Sequence, residues 1–398
     1  MMTDIQIEGF KSFGAPNPRL RLGPLNFLVG ANASGKSNFI AALQFVQNAV
    51  VQNVDYAVNE LGGTAEVRNK ILRERELPKP VRFFLRSDTS WGFAVDNREW
   101  RTQWIEYEVS LNLRGDAPSP VVATESLVAQ VENGGKAKRF ELKRDASNVS
   151  IVNPTSGSGA KLELAIPEPE QNRLALGVGF YALPAVFLRK EIESWRFFNI
   201  SPKVAREPYK ELPDVGLGTS GENLAVVLHN IEKNPKALEA IVRGLRGAVP
   251  GFKSLKTVRL PVEGKYAFQV IEERIKAINP SSVSDGTIRL LSLLVVTQWM
   301  SEDSQLIAIE EPENGLHPHL SGYIVDILKA ASLEKQLIVT THNPEFLNSL
   351  SPDQVIMFEK KDGITQTKKA SDIDQIGVFS KHFRLGELWE QGTLGGIL

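Results

Sequence analysis

Residues 25–46 read LNFLVGANASGKSNFIAALQFV, and three patterns meet in them. Leu25 to Val29 is an unbroken apolar run that stops at Gly30, as a strand buried on both faces would. Gly30, Gly35, Lys36 and Ser37 fit G-x-x-x-x-G-K-[ST], a phosphate loop. From Ser37 the apolar spacing becomes helical, with Phe39, Ile40, Leu43, Phe45 and Val46 on or near one face. A chance match in a glycine-bearing turn would lack this strand–loop–helix context. An α/β fold is expected, with the amides of Gly30, Asn32, Ala33, Ser34, Gly35, Lys36, Ser37 and Asn38 wrapping the β- and γ-phosphates of ATP at a helix N-terminus. Lys36 would add a point charge to those phosphates, and the Ser37 hydroxyl would ligate Mg²⁺.

Two further apolar runs end in polar residues. LIAI at 306–309 is followed by Glu310 and Glu311. At the end of a buried strand beside a phosphate loop, Glu310 is expected on the metal side, and Glu311 is expected to polarise the attacking water. Two acids at a strand end are otherwise ordinary surface residues. LIVTT at 337–341 is closed by His342, where open α/β sheets place ligand sites. His342 could hydrogen-bond the γ-phosphate, or be a satisfied structural histidine. His317 and His319 lack further spaced ligands and read as non-metal. Ser284, Asp285 and Gly286 open an apolar helix; they could bind an anion there or simply cap the helix.

The wider chain sets limits. It has 398 residues, 42% hydrophobic and 23% charged, a formal charge of −1 and no cysteine. This length exceeds what one core usually organises. Disulfides, thiolate nucleophiles and cysteine-bound metals are excluded. No apolar run reaches the roughly 18 residues of a membrane helix, and the N-terminus MMTDIQIEGFKSF has no signal-peptide pattern. A cytoplasmic protein with no membrane partner is expected. Residues 80–170 alternate as antiparallel strands, with RGDAPSP at 114–120, ENGGK at 132–136 and NPTSGSG at 153–159 as turns. Residues 185–248 read as helical, with GTSGEN leading into a capped helix. The expected division is 1–180 (phosphate loop and antiparallel sheet), 181–255 (helical insertion) and 256–398 (α/β second lobe).

Together, GFKSF near residue 10, GANASGKSN, SDGTIRLLSLL, IAIEEPENGLHP and IVTTHNPEFLN resemble the first loop, Walker A, signature, Walker B with D-loop, and switch-histidine segments of ABC-type ATPase heads of the SMC/RecF/OLD group. GGTAEVRNKI, GENLAVVLHNI and GELWEQGTLGGIL add a likeness to compact OLD-like AAA ATPases of prokaryotic defence loci. The resemblance implies a P-loop NTPase fold with a β-rich first lobe, and a slow ATPase. It also implies a head-to-tail homodimer or larger assembly holding ATP and Mg²⁺ between Walker A of one chain and Ser284–Gly286 of the other. Asn314 and Gly315 would form the D-loop, and Gln103 is a candidate for the Q-loop glutamine. Some 55 residues follow His342, too few for an appended nuclease domain of normal size. An effector or nuclease would therefore be a partner chain. The alternative is a RecF-like DNA-binding ATPase of repair, using the basic run Lys136, Lys138, Arg139, Lys143 and Arg144.

Overall fold

The computed structural model describes residues 1–73, 80–95, 97–113, 120–145, 147–153, 155, 161–165, 171–177, 183–212, 216–261, 264–274, 277–299, 304–374, 376–379 and 382–395. Most of the expected turns at 114–120 and 153–159 lie outside them.

The apolar run Leu25–Val29 is the inner strand of a six-stranded sheet, ordered Arg196–Phe198, Leu306–Glu310, Gln336–Thr341, Leu25–Val29, Val355–Lys361 and Ile364–Lys369. The first five run parallel, and the last folds back as a hairpin. All five residues of Leu25–Val29 are buried because each face of the sheet is covered. Successive side chains point to opposite faces: Leu28, Ala308, Ile338, Ile356 and Phe358 enter one apolar cluster, while Phe27, Val29, Ile307, Ile309, Val339 and Met357 enter the other.

The first cluster is closed by the helix Lys36–Val51 and by a nine-stranded antiparallel sheet. That sheet runs Lys161–Ala165, Asn148–Val152, Lys136–Arg144, Val121–Asn133, Arg98–Asn112, Val81–Ser87, Met2–Glu8 and Leu20–Arg21, with Gly92–Val95 also paired to Arg98–Asn112. The aromatics of GFKSF hold the sheet to the helix. Phe10 meets Phe45 at 5.6 Å and Phe83 at 5.5 Å between ring centres, and Phe39 packs edge-on against Phe358 at 5.8 Å. The second cluster is closed by the helices Leu224–Glu232, Pro235–Arg246 and Asp285–Gln298 and by a three-stranded sheet of Tyr209–Lys210, Lys265–Glu272 and Phe252–Leu260.

Two local readings are corrected. The stretch read as helical, 185–248, contains the strand Arg196–Phe198, which pairs in parallel with Ile307–Ile309. Three residues carry too little periodicity to announce a strand, and their partner lies more than a hundred residues away. Asn223 precedes the helix Leu224–Glu232 but does not cap it with its side chain. Its amide oxygen accepts from Gly218 N–H at 2.7 Å, and its amide nitrogen donates to Gly216 O at 2.9 Å, so it closes the preceding turn instead.

Candidate nucleotide site

Four parallel strands end along one rim. Register places Val29 opposite Thr341, Thr340 opposite Glu310, and Ile309 opposite Phe198. The next residues, Gly30, His342, Glu311 and Asn199, therefore emerge side by side, where an open α/β sheet binds its ligand.

The loop that leaves Val29 has no room for side chains at its glycines. A Cβ on Gly30 would lie 2.1 Å from Phe358 O, and one on Gly35 would lie 2.2 Å from Thr365 Oγ1. Gly35 also has φ +113° and ends the loop as the N-cap of Lys36–Val51, with no side chain accepting from the helix's first amides. Those amides stay open to an anion. Thr365, from the hairpin strand Ile364–Lys369, donates to Ser34 O at 2.8 Å, and Asn38 Nδ2 donates to Ser12 Oγ at 2.7 Å. The loop is thus braced by segments far from it in the chain. Ser34 Oγ is buried without a partner.

Lys36 folds back onto its own loop, its Nζ donating to Gly30 O at 2.6 Å and Ala31 O at 3.0 Å. Burial lowers its pKa, opposed by the charges of Glu311 and Glu313. Ser37 Oγ donates to Glu310 Oε2 at 2.9 Å. Burial raises the Glu310 pKa, the Ser37 hydrogen bond lowers it, the Glu311 charge raises it and a hydrogen bond from Asn199 lowers it. A hydroxyl and a desolvated carboxylate in contact form a donor set that suits a hard divalent cation.

Glu311 has φ +43°, unusual for a residue with a side chain, and its amide donates to Thr340 O at 3.0 Å. Its carboxylate accepts from Asn314 Nδ2 at 2.6 Å and lies 3.4 Å from His342 Nδ1. Behind them Glu313 is buried; its Oε1 accepts from the Thr341 hydroxyl and, at 3.4 Å, from the His342 amide, while Oε2 has no partner. Burial raises the Glu313 pKa.

A cavity of about 290 Å³ is lined by Asn32, Ala33, Ser34, Gly35, Lys36, Ser37, Asn38, Glu311 and Lys360. A second, of about 370 Å³, shares Asn38 and Lys360 with it and includes Lys11, Ser12 and Asn69. The rigid amide cradle, the buried lysine and the hydroxyl–carboxylate pair fit a triphosphate with its divalent cation, and the adjoining cavity has room for a nucleoside. Ser284, Asp285 and Gly286 do not line either cavity. Gly286 instead packs against Gly315, where a Cβ would come 2.7 Å from the Gly315 carbonyl. Ser284 Oγ accepts from Thr287 N–H at 3.1 Å, so it caps its helix. Gln103 donates to Glu132 Oε2 at 2.6 Å at an exposed position of the strand Arg98–Asn112 in the nine-stranded sheet and takes no part in this site. Asn199, at the end of the strand Arg196–Phe198, hydrogen-bonds Glu310. Sequence reading missed Asn199, Glu313 and Lys360. Glu313, two residues beyond Glu311 in a strand-end turn, was the one with a local signal.

Comparison with known proteins agrees with this geometry. The sequence profile of a family described as "AAA domain, putative AbiEii toxin, Type IV TA system" matches residues 25–107 and 135–348. The chain belongs to this AAA-domain family. No curated protein sequence matches it. Among solved structures, the AAA-domain chain is similar to the SmcHead bound to the C-winged helix domain of ScpA, at 15% identity and TM-score 0.54, over 92% of this chain and 97% of that one. It is also similar to the Smc head domain with an extended coiled coil bound to the C-terminal domain of ScpA derived from Pyrococcus furiosus, at 14% identity and TM-score 0.50, over 96% and 99%. At such identities the likeness is one of fold: a mixed α/β P-loop NTPase of the SMC ATPase-head type. No helix among the described residues is long and apolar enough to cross a membrane.

Proposed function

We propose that this AAA-domain protein binds ATP with Mg²⁺, dimerises head to tail around it, hydrolyses it slowly and thereby controls a separate effector protein in prokaryotic defence. One observation carries the reading. Lys36, Ser37 and Glu311 line one cavity, with Glu310 bonded to Ser37 and His342 beside Glu311, whereas Ser284–Gly286 line neither of the two cavities at the phosphate loop. A signature turn without its own nucleotide has a use if it completes the site of a second copy.

In this reading Lys36 leaves the carbonyls of Gly30 and Ala31 to meet the β- and γ-phosphates. Ser37 and Glu310 hold Mg²⁺, which screens phosphate charge when bound. Glu311 orients a water against the γ-phosphorus and accepts its proton as the new P–O bond forms and the bond to the β–γ bridging oxygen breaks. His342, 3.4 Å from Glu311, steadies that carboxylate and can donate to a γ-phosphate oxygen. Asn314 and Gly315 would face the partner across the dimer. The family's toxin–antitoxin description supports a defence setting. The two solved SMC heads, each bound to a ScpA domain, support a partner protein for heads of this fold. An OLD-like subgroup and the lobe boundaries at 180 and 255 belong to this proposal.

The DNA-binding alternative draws less support from its basic run. Arg144 is buried against Glu125, Arg139 and Lys143 both pair with Glu141, and Lys138 lies over the Trp100 ring. The deciding experiment is ATP turnover by wild type and Glu311→Gln, with mass measured in both. Loss of hydrolysis with a nucleotide-trapped dimer or larger assembly is expected; normal hydrolysis by the variant would overturn the catalytic assignment.

A further inference from the structure

Asp285 gives the signature turn a negative charge that would face a triphosphate. In this chain it is not bare. Arg206 Nη2 bonds Asp285 Oδ1 at 2.5 Å and also donates to Val283 O at 2.7 Å, while Arg206 Nε donates to Pro280 O at 2.9 Å. One guanidinium, mostly buried, thus holds three points of the backbone and side chain leading into the helix Asp285–Gln298. Two of these partners are main-chain carbonyls. The contact is therefore a clamp on the turn's shape and not only an ion pair.

The clamp is fixed at its other end. Arg206 closes the segment that begins at Asn199, whose side chain bonds Glu310 of the metal-side pair. Between them Asn199 N–H donates to Thr219 O at 2.9 Å, Ser201 N–H donates to Ser220 O at 3.0 Å, and Ala205 is fully buried in the second core cluster. The eight residues 199–206 thus run from the carboxylate of the chain's own half-site to the turn that would serve its neighbour's.

We infer that Arg206 is a positioning residue for the Ser284–Gly286 turn. It sets the path of residues 280–285 and neutralises Asp285, so that a second chain's triphosphate can dock. This rests on the head-to-tail dimer proposed above. Without Arg206 the turn loses three contacts, and Asp285 keeps only the more distant charge of Arg289 to offset it against the incoming phosphates.

The test uses the full chain in a Glu311→Gln background, comparing no further change, R206A, D285N and R206A/D285N. ATP-dependent dimerisation is read by sedimentation, and nucleotide affinity by titration at concentrations where the chain is monomeric. R206A is expected to weaken ATP-dependent dimerisation by about tenfold or more, with monomer ATP affinity unchanged. D285N should have opposite signs in the two backgrounds. It should weaken dimerisation slightly when Arg206 is present, by removing one anchor, and restore part of it in R206A, by removing the exposed charge. An arginine that served only to support the fold would not produce that reversal. If R206A dimerises like its parent, or D285N acts alike in both backgrounds, the role assigned to Arg206 is wrong. If the Glu311→Gln parent itself stays monomeric with ATP, the dimer reading falls first and takes this role with it.

Discussion

Glu313→Ala would show whether the turn bearing His342 is built on a buried carboxylate. Glu313 Oε1 accepts from the Thr341 hydroxyl and from the His342 amide at 3.4 Å, and Thr341 Oγ1 in turn accepts from Asn343 N–H at 3.0 Å. Deleting the carboxylate strands a hydroxyl and an amide, at about 1–3 kcal/mol each. Part is returned, because burial already holds the Glu313 pKa above the carboxylate norm and Oε2 has no partner. A net loss of about 2 kcal/mol follows, which for a chain this size lowers the thermal midpoint by about 2–4 °C. Turnover should fall about tenfold or more as His342 and Glu311 lose register. ATP affinity should change by less than about twofold, since Glu313 bonds nothing in the phosphate loop. Glu313→Gln keeps an acceptor oxygen and removes the charge, so its turnover should stay within about threefold of wild type. The assays are steady-state phosphate release, ATP titration and thermal unfolding without nucleotide. Equal loss of turnover in the alanine and glutamine variants would refute the reasoning, because charge and not geometry would then be what Glu313 supplies.

Glu310→Gln should raise the melting temperature of the nucleotide-free protein at pH 8. Burial raises the Glu310 pKa, so stability from this group is present below the ordinary carboxylate range and lost as pH rises through the raised value. The advantage of the variant should therefore shrink in melts taken toward pH 4, and Mg²⁺-dependent ATP turnover should be lost at every pH. Glu125→Ala removes the acceptor for Ala175 N–H at 2.6 Å, Leu176 N–H at 2.8 Å and Tyr107 OH at 2.9 Å, and leaves the buried Arg144 without its carboxylate. A loss of about 3–5 kcal/mol is expected. Limited proteolysis should cut near residues 171–177 before any cut near the phosphate loop; the opposite order would contradict it.

Much of the site was legible from local chemistry. GANASGKS, the acids after LIAI and the histidine after LIVTT each lie within a few residues of an apolar run, so sequence alone determined the α/β class and named Lys36, Ser37, Glu310, Glu311 and His342 as candidates. Glycine at 30 and 35 was equally readable. The structure supplied the reason, the Phe358 carbonyl and the Thr365 hydroxyl pressed against those positions.

What tertiary structure alone decided is everything that depends on distant pairing. Arg196–Phe198 is too short to show a period, and only its register with Ile307–Ile309 puts Asn199 beside Glu310. Gln103 had the right side chain, but its strand belongs to the other sheet. In the basic run at 136–144, Glu141 shares a strand face with Arg139 and Lys143 and was locally readable, but only strand pairing set Glu125 against Arg144. The arginine that clamps Asp285 lies 79 residues away, and no local pattern announced it. Composition and spacing report what a residue can do within its own strand or helix. Which other residue cancels its charge, or shares its rim of the sheet, is set by chain crossings that no local pattern records.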